Sequence, residues 1–134
     1  MSVRTILWTS LICIVLAGCR KSDEIDSALQ NARAAGKSLM VEFGADWCSD
    51  CQEMTRQLQR APLNTCLRQR ISLVHVDVGQ FNRNLDKANA LGIDIRNGVI
   101  PTAVFFPAIG RRTTKVGTHD ILSFLEQSCS TTSN

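Results

Sequence analysis

The sequence predicts an α/β domain, a central sheet with helices on both faces. Two observations carry this. Segments with apolar residues at helical spacing alternate with short, nearly unbroken apolar runs, giving the order α-β-α-β-α-β-β-α. The chain has 134 residues and no internal repeat, so a single domain with one core is expected.

The first eighteen residues stand apart. Arg4 precedes Ile6 to Ala17, a run of twelve residues with no charge. A bilayer span needs about 20 apolar residues, so the run is too short to cross and has the proportions of a secretory signal. It ends in Leu16-Ala17-Gly18-Cys19, which resembles the bacterial lipobox. That resemblance implies removal of residues 1–18 and lipid on Cys19, with the alternatives of an ordinary signal peptide or an uncleaved anchor. More than one acyl chain makes membrane anchoring stable. Residues 19–24 then form a lipidated tether, residues 25–128 the folded domain and residues 129–134 a polar tail.

Within the domain, Ile25, Ala28, Leu29 and Ala32 recur at helical spacing and Gly36 closes the helix. Leu39–Phe43 reads as a buried strand, with Glu42 conspicuous inside it. A second helix begins near Cys48, with Cys51, Met54 and Leu58 on one face. Pro62 interrupts it, and residues 63–69 add a turn or two. Residues 71–78 form the next strand. Residues 80–92 supply a loop and a short helix ending at Gly92. After a connecting loop, Pro101 precedes the buried strand 102–106. A turn at 107–110 leads to an edge strand, 111–116. Thr118 or His119 opens the last helix, with Ile121, Leu122 and Leu125 inward and the tail fraying from Ser128.

Composition narrows the function. With Arg4 removed, basic residues barely exceed the 12 acidic ones, and aromatic residues make up 5% of the chain. Neither a basic stripe nor an aromatic platform is present, so nucleic acid is not an expected partner. Of six cysteines, Cys13 leaves with the leader and Cys19 takes lipid, leaving Cys48, Cys51, Cys66 and Cys129. Export places these four where disulfides persist.

The chemistry centres on Trp47-Cys48-Ser49-Asp50-Cys51. A cysteine at a helix amino terminus meets unpaired N–H groups and the positive end of the dipole, which favour thiolate. Cys48 has that place and is expected to be the exposed nucleophile. Cys51, one turn on, is the shielded resolving thiol, and the two can close a disulfide. A structural disulfide and a zinc or copper half-site are the alternatives. A complete zinc site needs four ligands, and no second CxxC or HxxxH is present, so no metal is expected.

Residues 41–51 (VEFGADWCSDC), VIPT at 99–102 and TKVG at 114–117 resemble thioredoxin-family signatures in the family's order. The resemblance covers roughly residues 25–127. It implies a thioredoxin-like three-layer α/β/α sandwich whose mixed sheet has four strands, or five if the tether supplies the family's extra one. It makes Pro101 a cis-proline facing the CxxC, with the Ile100 backbone free to pair with substrate. Trp47 would cover the dithiol and shape the groove; simple packing is the bland alternative. Glu42 falls where the family buries a carboxylate behind the second cysteine. A buried carboxylate can exchange a proton near neutral pH and so deprotonate Cys51. His75 falls on the neighbouring strand, where many thioredoxins have lysine. It is either a proton relay to water or a half-buried histidine with no catalytic part. Gly117 matches a glycine near the groove, or is only a hinge.

The fold implied by the resemblance puts Cys66 and Cys129 on one face of the sheet. They could form a structural disulfide, stay as free thiols or act as a second redox pair. Closing a loop of about 60 residues would contribute roughly 4 kcal/mol. Ser49-Asp50 replaces the glycine-proline of thioredoxin, and Asp46 and Asp50 put negative charge beside Cys48. Like charge disfavours a thiolate, which points to a reducing couple.

The resulting expectation is a lipid-anchored, monomeric thiol–disulfide oxidoreductase facing the periplasm or cell exterior. It would have no prosthetic group, protein disulfides as substrates and an upstream dithiol protein as electron donor. The alternatives are a disulfide oxidase or isomerase, a copper-handling lipoprotein using Cys48, Cys51 and Met54, and a non-catalytic envelope lipoprotein.

Overall fold

The computed structural model describes residues 24–131. The proposed leader, Cys19 and most of the tether lie outside them. Helix α1 (Glu24–Ala34) opens the domain with Glu24 and Asp26 in its first turn and Arg33 in its last, each sign suited to the helix dipole. Gly36, at φ 67°, takes the left-handed turn that ends it. Strand β1 (Ser38–Gly44) follows. Helices α2 (Ser49–Leu58) and α3 (Leu63–Arg70) are separated at Pro62, which precedes α3 and follows a cis Ala61–Pro62 peptide bond. Then come β2 (Ile71–Asp77), the short α4 (Leu85–Ala90), β3 (Thr102–Phe106), β4 (Thr113–Val116) and α5 (Thr118–Ser130).

The sheet order is β2-β1-β3-β4. β1 pairs in parallel with β2 and antiparallel with β3, and β3 pairs antiparallel with β4, so the sheet is mixed. Parallel neighbours need a long crossover, here α2 and α3. Four strands are present among the described residues, and β2 forms one edge of the sheet.

β1 is central and buried on both faces, which is why its sequence is apolar without alternation. Leu39, Val41 and Phe43 point to one side, with Ile25 and Ala32 of α1 and Ala88 of α4. Met40 points to the other, with Met54 and Leu58 of α2, Leu63 of α3, and Ile121 and Leu125 of α5. These two cores make the three layers. Glu42 shares the Met40 side of the strand by the two-residue period, so a carboxylate is built into an apolar layer.

Several boundaries differ from the sequence reading: β1 gains Ser38 and Gly44, and β2 ends at Asp77 rather than 78. The final strand begins at Thr113 rather than 111. The last helix runs to Ser130 instead of fraying from Ser128, because Cys129 is bonded to Cys66 and holds that turn against α3.

Candidate active site

The site forms where β1 ends and α2 begins. Cys48 is the N-cap of α2, with extended backbone (φ −78°, ψ 111°). Its Sγ accepts the Cys51 backbone N–H at 3.1 Å, satisfying one of the donors a helix start leaves open. The same geometry would stabilise a thiolate there. Cys48 and Cys51 are joined as a disulfide with Cα atoms 5.2 Å apart.

Cys48 was expected to be exposed, and in this disulfide form it is not. It is 6% exposed, against 5% for Cys51. The cover comes from a loop 52 residues away. The Ile100–Pro101 peptide bond is cis, and the Ile100 carbonyl oxygen lies 3.8 Å from Cys48 Sγ. Pro101 is held from behind by the Gly117 N–H, which donates to its carbonyl at 2.7 Å. Thr102 Oγ1 donates to the Val99 carbonyl and fixes the other side of the turn. Gly117 thus has a direct contact with the cis-proline turn as well as opening α5.

Trp47 is half-exposed, and its ring is pinned to the loop after β2. Its indole N–H donates to the Gly79 carbonyl at 2.8 Å, and Phe81 meets it edge-on with centroids 5.6 Å apart. Asp77 braces that loop, accepting from the Gly79 N–H at 2.9 Å and from Arg83 at 3.0 Å. These bonds hold the Asp77 carboxyl below its usual range, the Gly79 N–H being the largest cause. Phe81, Gly79 and Asp77 were not singled out from sequence, since nothing local in 77–81 announces a partner thirty residues earlier.

Behind the dithiol, Glu42 is 5% exposed. Its register partner on β2 is His75, so their side chains emerge side by side on one face. His75 Nδ1 forms a hydrogen bond to Glu42 Oε2. That bond is the main cause raising the His75 pKa above its ordinary value; partial burial opposes it, and the charges of Glu42, Asp77 and Asp46 add to it. The other oxygen, Oε1, is buried without a hydrogen-bond partner among the described residues. It faces Cys51 across Gly44. A side chain at Gly44 would place its Cβ 2.2 Å from Glu42 Oε1 and 3.3 Å from Cys51 Sγ. Gly44 therefore leaves open the space between carboxylate and sulfur, a role the sequence reading missed. A glycine two residues after a buried acid on a strand was the available signal.

Asp46 and Asp50 flank the dithiol and are exposed. Asp50 also ties α2 to α5, its carbonyl accepting from Thr118 Oγ1 at 2.8 Å. Cys66 and Cys129 are joined at the far end of the same helical layer, with Cα atoms 6.0 Å apart. The structure thus brings Cys48, Cys51, Ile100 and Pro101 together, sets Glu42 and His75 behind them, and puts the second cysteine pair elsewhere. Among the described residues no group of three or more His, Cys, Asp or Glu side chains is arranged to hold a metal ion, and no helix is long and apolar enough to cross a membrane.

The sequence model of the thioredoxin-like family matches residues 21–108. The chain belongs to that family. It is 31% identical over 101 residues to the thiol:disulfide interchange protein DsbD of Ralstonia nicotianae, covering 74% of this chain and 16% of that protein. It is 31% identical over 91 residues to DsbD 1 of Pseudomonas aeruginosa, covering 65% and 14% respectively. The chain therefore spans about a sixth of the curated relatives it matches. Among solved structures it is similar to a disulphide isomerase from Xylella fastidiosa, at 26% identity and a TM-score of 0.65 over 86% of this chain and 98% of that one. A thioredoxin from Thermus thermophilus superimposes at 26% identity and a TM-score of 0.57, over 80% and 85%.

Proposed function

We propose that this chain is a membrane-anchored, extracytoplasmic thiol–disulfide oxidoreductase that reduces protein disulfides. The observation carrying this reading is the position of Cys48 Sγ, at the helix amino terminus, bonded to Cys51 and facing the cis Ile100–Pro101 turn. Anchoring and export rest on the sequence of residues 1–19, with lipid on Cys19 and an orientation facing the periplasm or cell exterior.

In the reduced form, Cys48 thiolate attacks one sulfur of a substrate disulfide. A Cys48–substrate disulfide forms and the second substrate sulfur leaves as thiolate. Cys51 gives its proton to Glu42 and attacks Cys48 Sγ. The Cys48–Cys51 disulfide forms, the first substrate sulfur leaves, and two electrons have passed to the substrate. The chain carries no nucleotide-binding motif, so an upstream dithiol protein must return the pair of electrons by the reverse exchange. Ile100 offers backbone to an extended substrate segment beside the sulfurs, and Trp47 with the exposed Val99 supplies apolar surface there.

Direction follows from charge. Exposed Asp46 and Asp50 disfavour negative charge on Cys48, which destabilises the reduced form and lowers the potential. An isomerase or oxidase is the second reading, favoured by the name of the Xylella relative. A redox titration of residues 20–134 followed by Trp47 fluorescence separates them. A midpoint near about −270 mV supports a reductase, and one near about −120 mV overturns that direction. Stoichiometric copper retained after anaerobic purification would overturn the redox reading in favour of metal handling.

A further inference from the structure

The end of the molecule that carries the dithiol is also the end where the chain enters the domain. A tight turn joins α1 to β1, so the two run antiparallel and Glu24 lies beside the carboxyl ends of the strands. A line of contacts fixes it there. Glu24 Oε2 accepts from Lys87 Nζ of α4 at 2.9 Å. Asn84, the N-cap of α4, donates to the Asp77 carbonyl at 2.7 Å, and just beyond Asp77 the Gly79 carbonyl holds the Trp47 indole. The opposite end holds the Cys66–Cys129 bond and the last turn of α5. A cavity there is bordered by Ser38, Ile71, Ala108 and Cys129, at the starts of β1 and β2 and just past the end of β3. β1 has seven residues, so about 23 Å separates the two ends.

We propose that the disulfide this protein reduces belongs to a protein that is itself held in the membrane, with its cysteines close to the bilayer surface. This deepens the reading above and rests on it, the lipid on Cys19 included. Only Cys19 to Asp23 stand between that lipid and Glu24, and five residues reach at most about 18 Å. Whatever path it takes, the tether keeps the dithiol end next to the bilayer. Confining both partners to one surface raises their effective concentration. The bilayer itself does not fit the site. Trp47 and Val99 are 48% and 58% exposed, but exposed Asp46 and Asp50 flank Cys48, and their carboxylates would lose their water on insertion. Of the cations at this end, Arg83 and Lys87 are bonded to Asp77 and Glu24, and Arg96 lies near Asp94. Asp46 and Asp50 therefore suit a substrate segment with basic residues beside its disulfide. Two electrons and two thiol protons pass from the reduced Cys48/Cys51 pair to that disulfide. It becomes two thiols as the Cys48–Cys51 bond forms.

The test compares two anchors on phosphatidylcholine vesicles. One is the full lipidated chain. The other is the mature chain with Cys19→Ser and a histidine tag after Asn134, held on nickel-chelating lipid through the far end. The probe is a lysine-containing peptide whose disulfide joins a fluorophore to a quencher, either free or attached to a phospholipid headgroup by a short spacer. Trp47, the only tryptophan once Trp8 leaves with the leader, reports orientation by energy transfer to a dansyl headgroup. The natural anchor should reduce the lipid-held probe about tenfold faster than the reversed anchor does, with free-probe rates within about twofold and stronger transfer from Trp47. Equal rates on the lipid-held probe, or transfer that favours the reversed anchor, would overturn the proposal. So would a blue-shifted Trp47 emission on vesicle binding, which would put the bilayer itself over the site. If neither form reduced either probe while the transfer difference held, the oxidoreductase reading would fail, and the proposed substrate with it. An unmodified Cys19 in the membrane-expressed chain would remove the anchor and sink the proposal, leaving the dithiol chemistry standing.

Discussion

The molecule holds two disulfides in one helical layer, and the one assigned to chemistry is the better hidden. Cys48 and Cys51 are 6% and 5% exposed, whereas Cys66 and Cys129 are both partly exposed. Exposure therefore does not separate a reactive pair from a staple. Their surroundings do. Cys48 caps a helix, faces a cis-proline turn and has a buried carboxylate behind its partner. Cys66 lies mid-helix in α3, and Cys129 in the last turn of α5. Sequence separation differs as sharply, 3 against 63. A short loop removes little freedom from the unfolded chain, and a long one removes more.

The contrast breaks most severely if the roles can be exchanged by mutation. Cys48→Ala should reduce disulfide exchange by a factor of about 10³ or more, because no other thiol occupies the helix start. An insulin-reduction assay reads this, and retention of more than a tenth of the activity would refute the assignment. The double variant Cys66→Ala, Cys129→Ala should behave oppositely. Urea unfolding should show a loss of up to roughly 4 kcal/mol, with the redox midpoint of the remaining pair unmoved. A shifted midpoint would mean that the far disulfide communicates with the near one.

Two smaller effects sharpen the difference by probing what stands behind Cys51. Gly44→Ala would place a methyl 2.2 Å from Glu42 Oε1. The end of the glutamate must swing aside, so resolution should slow about tenfold in stopped-flow fluorescence while Cys48 alkylation is unchanged. Equal resolution rates would show that the carboxylate does not act through this gap. The smallest effect is on stability. His75 has a folded pKa raised mainly by its bond to Glu42. A raised pKa stabilises the fold fully below the unfolded value near 6.5, and that contribution is lost as pH rises through the folded value. Wild type should exceed His75→Gln most at mildly acidic pH, the gap closing in alkali. Melting temperatures across that range measure it, and a gap that widened with pH would contradict the ion pair.

Local patterns made the frame legible. The apolar runs of β1 and β3 and the Cys51-Met54-Leu58 stripe each announce their element in a few residues, and all of these are buried except Phe106, which is partly so. The CxxC and the proline at 101 could be read for the same reason. What could not be read depends on residues far apart meeting. Burial of Cys48 needs the Ile100 carbonyl, and anchoring of Trp47 needs Gly79. The pairing of Glu42 with His75 was raised on the family's layout, and its geometry follows from a parallel register set by the whole α2–α3 crossover. Gly44 matters only because Cys51 comes back over it. The extension of α5 to Ser130 is likewise imposed by Cys66, on another helix.

The Cys66–Cys129 bond also changes what a cut in the backbone would do. The turn between β3 and β4 is exposed, with Ile109 at 94%, and such loop tips are where proteases nick a folded chain. Any break between Cys66 and Cys129 leaves both fragments covalently joined. The severed piece would keep β4 paired with β3 and α5 seated on the sheet, with Thr118 still bonded to Asp50. A nicked molecule would thus migrate as one species until a reductant is added, and could go on holding its cis-proline turn against the dithiol after its chain is no longer continuous.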